Sequence, residues 1–222
     1  VPAPIPPGAA RVSAPAHVVV EPSVLYVGTP AYLIATENPD GTPNLAPASS
    51  YWALGRMLVL GIEVDGQTAA NLLVRPGITV NFPSSDLWQA VARLGALTGR
   101  DPVPDAKAAR YRYEKDKFEA SGLTPEASDL VRPPRVAECR LQFEATVRRT
   151  TEGLDGGYLM VEAEVVRVHA DPAILDPTGE HIDPTRWNPL VYAFRHFFER
   201  GVEVGWLASS PTAPHAPVLD GP

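Results

Sequence analysis

The stretch CRLQFEATVR, residues 139–148, alternates without a break: Cys139, Leu141, Phe143, Ala145 and Val147 against Arg140, Gln142, Glu144, Thr146 and Arg148. A period of two places one set on each side of a pleated strand, and one apolar side is what an antiparallel sheet over a core requires. The Gly-rich EGLDGG (152–157) returns the chain into YLMVEAEVVRVH (158–169). There the alternation slips at Val165-Val166, which predicts a β-bulge. Shorter runs earlier in the chain, HVVVE (17–21), SVLYVG (23–28), AYLIAT (31–36), MLVLGIE (57–63) and ITVNFP (78–83), read as further strands bounded by Gly, Pro and Asn. Asp40-Gly41 supplies turn residues after the third run.

Helical signals are fewer. In DGQTAANLLVRPG (65–77), Thr68 is a candidate cap, Leu72 and Leu73 can bury, and Pro76-Gly77 stops the helix. In SSDLWQAVARLGALTG (84–99), Ser84 or Ser85 is a candidate cap and Leu87, Val91 and Leu94 share a face. The charged DAKAARYRYEKDKFEASG segment reads as partly helical and ends at Gly122. Strands outnumber helices and are joined by hairpins. The prediction is a mainly β protein, a β-barrel with peripheral helices.

Proline-rich segments flank this region and divide the chain into an extension at 1–16, a domain at 17–205 and a tail at 206–222. A chain of 222 residues with 45% apolar content can bury one sizeable core. The net charge of −7 is spread along the chain, which argues against a nucleic-acid groove. Cys139 is the single cysteine, so a disulfide within the chain and a thiolate metal site are both excluded. No membrane-length apolar run and no secretory signal is evident, so a cytoplasmic location is expected. The five histidines lack metal-ligand spacing, so no metal is expected. Neither Gly-x-Ser-x-Gly nor Gly-x-Gly-x-x-Gly occurs, which counts against a serine hydrolase and a Rossmann domain. Cys139 shares parity with Leu141 and Phe143 and reads as a buried strand residue.

One segment departs from strand chemistry. APASSYWAL (46–54) places small residues, a proline and adjacent hydroxyls where a returning strand belongs. Such a stretch forfeits packing and one ladder hydrogen bond, which suits a place where a flat ligand lies against main chain. Thr68 and Asn71, about one turn apart at a helix start, would suit the ligand's phosphate. A planar heterocycle with one phosphate fits both, and FMN is the obvious candidate. A solvated Ser-Ser turn and an ordinary helix cap satisfy the same spacing.

The order of the segments is informative. AYLIATENPDGTPNLAPASSYWAL, GQTAANLL and VNFPSSDLW, followed by YEKDKFEASGLTPEAS, RPPRVAECRLQFEATV and IDPTRWNPLVYAFRHFFERG, together resemble the flavin reductase-like, FMN-binding split β-barrel family related to flavoredoxin. The resemblance spans most of residues 17–205. It implies a homodimer with FMN near the interface. Ala46, Pro47, Ala48, Ser49 and Ser50 would run along the isoalloxazine, with Ser49, Ser50 and Tyr51 reaching toward the phosphate. Gln67, Thr68 and Asn71 would complete the phosphate site, Asn81 would hold the ribityl chain or brace the loop, and Thr36 would face the site. Many relatives carry lysine where this chain has Gln67, and Arg75 and Arg195 are the candidate replacements for its charge.

The implied activity is NAD(P)H-dependent flavin reduction, with NADH or NADPH as hydride donor and a flavin-using monooxygenase as one possible recipient. Two alternatives stand: an enzyme that keeps FMN and acts on one small organic substrate, or a non-catalytic flavin- or haem-binding barrel. No general acid or base is nominated. Trp52, Trp187 and Tyr192 are candidates for the substrate side, and Lys115 and Lys117 read first as helix-face charges.

Overall fold

The computed structural model describes residues 15–203, so the proline-rich extension (apart from Pro15 and Ala16) and the 206–222 tail lie outside the described residues. Seven strands make one antiparallel sheet: β1 Tyr32–Glu37, β2 Pro43–Ala48, β3 Tyr51–Leu54, β4 Met57–Glu63, β5 Gly77–Phe82, β6 Leu141–Glu152 and β7 Tyr158–Ala170. Their order is β2-β1-β5-β6-β7-β4-β3. The two outermost strands, β2 and β3, are consecutive in the chain and separated only by Ser49-Ser50. β2 pairs with β1 (Ala48 opposite Tyr32) and β3 pairs with β4 (Tyr51 opposite Leu60). The sheet is therefore brought round on itself through one bent strand, which gives a split β-barrel.

The composition of the bend follows from that geometry. Pro47 needs no ladder donor, and Ala46 and Ala48 leave little side chain to turn. Opposite the bend stands Gly61, whose N–H donates to Ser50 O at 3.2 Å. A Cβ added to Gly61 would lie 2.8 Å from Ser50 Cβ, so the two sides approach too closely for any other residue.

β1 is buried on both faces, which explains its continuous apolar run. Tyr32 and Ile34 point into the barrel with Leu58, Leu60, Ile78, Val80 and Val161. Leu33 and Ala35 point outward against Val91, Leu94, Phe118, Val136 and Cys139. The outer layer includes α1 Gln67–Leu72, α2 Trp88–Leu94 and α3 Lys117–Ser121. A further three-stranded sheet joins Val27–Pro30 to the hairpin Val191–Ala193 and His196–Phe198. No helix among the described residues is long and apolar enough to cross a membrane.

The predicted bulge is present: Glu144 faces Arg167 and Ala145 faces Val165, leaving Val166 unpaired. Several expectations are corrected. His17–Glu21 is exposed and forms no strand, because no partner lies alongside it among the described residues, where pairing near the N-terminus begins only at Val27. Thr68 does not cap α1. Gly66 occupies the cap position and Thr68 is buried with its hydroxyl bonded to Asn44, while Leu73 is exposed. Ser84 precedes a single 3-10 turn, Ser85–Leu87, without a side-chain cap bond. Most informative is β6, whose polar side is covered over its first half: Gln142 and Glu144 are both buried, while Arg148 further on is exposed. Glu144 accepts from the backbone N–H groups of Asp129, Leu130 and Val131 and contacts His169 Nε2 at 2.6 Å. The alternation locates the strand but does not reveal that a loop covers its polar face.

Candidate functional site

A cleft of about 640 Å³ opens where the β2–β3 bend meets α1, α2 and the segment leading to α3, with the three-stranded sheet at its other end. Its lining falls into a polar end, a main-chain floor and an aromatic end.

The polar end is organised by Asn44. Its Nδ2 donates to Thr68 Oγ1 and Thr36 Oγ1, both at 3.1 Å, and its Oδ1 accepts from Lys117 Nζ at 3.0 Å. Lys117 is 4% exposed, lines the cleft, and has no carboxylate partner among the described residues. Burial, and after it the charge of Lys107, lowers its pKa to about 8. Lys107 also lines the cleft but is paired with Glu63 at 2.7 Å. Gln67 lines the cleft and donates to Asn71 Oδ1 at 2.8 Å, while Asn71 donates to Thr36 Oγ1 and Asn38 Oδ1. Gly99 closes this end: a Cβ there would lie 2.8 Å from Asn44 Oδ1 and 3.0 Å from Gln67 Cβ.

The floor is Ala46 to Ser50, all of which line the cleft. The serine hydroxyls turn to the aromatic end. Ser49 Oγ lies 2.6 Å from Thr29 Oγ1 and Ser50 Oγ lies 2.7 Å from Tyr26 Oη, while Tyr32 Oη donates to Ser50 O at 3.0 Å. Their hydroxyls thus tether the small sheet to the bend, where the sequence suggested contact with a phosphate.

At the aromatic end stand Tyr26, Tyr192, Phe197 and Arg195. Tyr26 and Tyr192 meet edge to face at 5.5 Å, and Tyr192 and Phe197 are 5.6 Å apart. Phe194 and Arg195 form the two-residue hairpin tip with φ of 46° and 70°. Such a tip favours Asn-Gly, and each bulky residue in the left-handed region costs about 1–2 kcal/mol.

Of the residues singled out from sequence, the cleft brings together Ala46, Pro47, Ala48, Ser49, Ser50, Gln67, Thr68 and Arg195. Among the proposed flavin contacts, Thr36, Asn71, Tyr51 and Asn81 do not line it. Thr36 and Asn71 sit behind Thr68 in the same hydrogen-bond network. Tyr51 packs against Phe82 and Tyr32. Asn81 braces strands, donating to Leu33 O and Thr79 Oγ1 and accepting from Val136 N. Arg75 lies beside Glu37 and is no part of the lining. Tyr192 lines the cleft, Trp187 packs on the barrel core and Trp52 is exposed. Sequence reasoning missed Asn44, Lys107 and Tyr26 and set Lys117 aside as a surface charge. The one available signal was Lys117 preceding Phe118 on a helix of five residues, too short to offer an independent solvent face.

Away from the cleft, Asp129, Glu144 and His169 bring potential ligand atoms within 4.8 Å of one another. Glu144 is already saturated by three N–H donors and His169, and Asp129 pairs with Arg167, so this cluster fastens a loop.

Residues 24–201 match the family model described as the flavin reductase like domain. The uncharacterized protein YdfE of Bacillus subtilis is 39% identical over 196 residues, covering 87% of this chain and 94% of that relative. Among solved structures, the flavoredoxin of Desulfovibrio vulgaris superposes with a TM-score of 0.73 at 20% identity, covering 88% of this chain and 98% of the other. An NADH:FAD oxidoreductase of Streptomyces globisporus, solved with NAD and FAD fragments, gives 0.59 at 13% identity over 80% and 88% of the two chains. These two likenesses are of fold.

Proposed function

This chain belongs to the flavin reductase like domain family, and on that premise we propose that its cleft holds FMN and that it oxidises NADH or NADPH through that flavin. The family itself makes it a flavin-linked oxidoreductase. Lys117 carries the finer reading. A buried ammonium that faces a cleft, has no carboxylate partner among the described residues and is pushed toward neutrality suits an anionic ligand. Together with Thr68 and Gln67 it would hold a single phosphate, and it supplies the charge that Gln67 lacks.

The residues present fit the group. Ala46, Pro47 and Ala48 leave the floor flat enough for a fused ring, and Gly99, where a Cβ would collide with Asn44, lets the chain pack closely behind the polar end. With Lys107 paired to Glu63, one cation remains at this end without a carboxylate partner among the described residues, which favours a monophosphate over the longer FAD. When bound, the flavin supplies two-electron chemistry, taking hydride from a nicotinamide and passing the electrons on. The chain's own residues bind and orient. Asn44 fixes Lys117 relative to Thr68, and the 46–50 main chain offers N–H and C=O groups to a ring edge.

The reading includes a homodimer. Trp52 and Leu54 on β3 and Tyr158 and Met160 on β7 are exposed on the outer face of the barrel, next to the bend. The test is a visible spectrum of the purified protein, an FMN titration, and nicotinamide oxidation with FMN present. Saturable binding that Lys117→Met weakens at least about tenfold supports the reading. No binding at tens of micromolar FMN would sink it.

A further inference from the structure

We propose that the aromatic end of the cleft, with the hollow beside it, is a separate subsite for a planar aromatic carboxylate, and that Arg195 reads its charge. The proposal rests on the flavin reading in one respect: the polar end and floor are taken by FMN, which leaves the aromatic end for a second ligand.

Four observations converge. Arg195 lines both the cleft and an adjoining open hollow of about 740 Å³, so it stands at the junction of the two. It makes no ion pair or hydrogen bond among the described residues, unlike the neighbouring Arg186 and Arg200. Its backbone is in the left-handed region at a hairpin tip, where glycine would be unstrained, so the fold presents this guanidinium at a conformational cost. Finally, an aromatic wall runs through the junction: Tyr26 to Tyr192 at 5.5 Å, Tyr192 to Phe197 at 5.6 Å, and Phe197 to Trp88 at 6.5 Å.

Rings arranged in this way offer faces and edges to another flat ring. A guanidinium without a partner offers a two-pronged match to a carboxylate. Charge limits the ligand further. The hollow also contains Asp86 and Glu199, so a pyrophosphate or a second anionic group there would meet repulsion. One ring system with one negative charge fits the hollow; a dinucleotide reaching the flavin would have to keep its phosphates outside it. The ligand is thus a small aromatic acid seated beside the flavin position.

The experiment is calorimetric titration of the full chain, with and without saturating FMN, using 2-naphthoate, the neutral 2-naphthamide and the non-planar cyclohexanecarboxylate. The expected result is naphthoate binding about tenfold tighter than either comparison ligand. Arg195→Gln should erase the preference over naphthamide and leave FMN affinity unchanged. Arg195→Gly should erase it too while raising the melting temperature, because the turn strain is relieved. Equal affinity for naphthoate and naphthamide, or an unchanged preference in Arg195→Gln, overturns the proposal. Loss of FMN affinity in Arg195→Gln also overturns it, by assigning the arginine to the flavin. Naphthoate discrimination without any FMN binding would support the subsite and remove the flavin reading alone.

Discussion

Lys117 and Thr68, from helices 49 positions apart in the chain, are joined through one side-chain amide: Asn44 accepts from Lys117 at 3.0 Å and donates to Thr68 at 3.1 Å. A buried cation is held beside a buried hydroxyl at the polar end of the cleft, with no carboxylate paired to it among the described residues. That arrangement costs stability in the absence of an anion and stabilises one when it binds.

The first prediction is a pH dependence. Burial lowers the pKa of Lys117 from its ordinary 10.5 to about 8, so between those values the unfolded chain binds the proton more tightly than the folded chain. Stability from this residue therefore rises with pH from about 8 to 10.5 and is lowest below that window. The difference is on the order of 3 kcal/mol at most. Urea unfolding of the flavin-free protein at pH 7.5 and 10 should show the rise, and Lys117→Met should flatten it. A wild-type curve that falls across this window, or an equal rise in the variant, would place the effect elsewhere.

The bend gives the second prediction. Gly61 and Ser50 face each other where β3 leaves the bend, and a Cβ on Gly61 would stand 2.8 Å from Ser50 Cβ. Gly61→Ala should destabilise by about 1–3 kcal/mol through overpacking. Adding Ser50→Gly removes the opposing Cβ, so the double variant should recover part of the loss. A double-mutant cycle with no coupling would show that the contact is not what limits this position.

These two sites also mark how far the sequence could be read. The strands were legible because a period of two survives in β6 and β7, down to the bulge at Val166. The floor at 46–50 was legible because Ala-Pro-Ala is poor strand material, although its role in joining the sheet's two edges depends on a register that no local pattern carries. Lys117 and Asn44 were not legible. Their partnership spans 73 positions and arises from packing α3 against β2. Tyr26 was hidden for a similar reason, since its bond to Ser50 depends on how a separate small sheet docks. His17–Glu21 shows the opposite failure: strong strand propensity goes unused because nothing among the described residues lies beside it to pair with.

Glu144 tests the covered face of β6. Burial raises its pKa, but the bonds from Asp129, Leu130, His169 and Val131 outweigh that and hold the carboxyl below its ordinary value. Its stabilising contribution is thus fully present above the ordinary carboxylate range and is lost as pH falls through the lowered value. Glu144→Gln keeps the shape but removes the charge and one acceptor, and should cost about 1–3 kcal/mol. Amide exchange should accelerate at Asp129, Leu130 and Val131 while FMN affinity stays within about twofold, because none of these residues lines the cleft. Unchanged exchange at those amides would mean that the loop is held by its other contacts, Arg132 with Glu37 and Arg167 with Asp129.

The outer face of the barrel carries the last prediction. Trp52 is 53% exposed and Leu54 70%, on a four-residue strand of which only Tyr51 packs against the core. The register places Trp52 over Val59 and Leu54 over Met57; directly across on β7 stand Glu162 and Glu164, paired with Arg149 and Arg148, and Met160 and Tyr158 follow further along the same face, opposite Gly61 and Glu63. Four large apolar side chains exposed on one face, rimmed by Glu162, Glu164 and Glu63, are unfavourable in water unless something covers them. A second copy of the same face is self-complementary across a two-fold axis and needs no other component. Its place beside the bend means that such pairing would also buttress Ser49-Ser50 and hence the cleft floor. Light scattering on the wild-type chain should therefore give twice the monomer mass, and Trp52→Glu should reduce it to the monomer by placing a charge at the centre of the contact. The monomeric variant should unfold cooperatively but bind FMN less tightly, because the floor has lost its support. A wild-type chain that is monomeric at tens of micromolar would rule out this interface, and an unchanged FMN affinity in the monomer would show that one copy suffices to build the site.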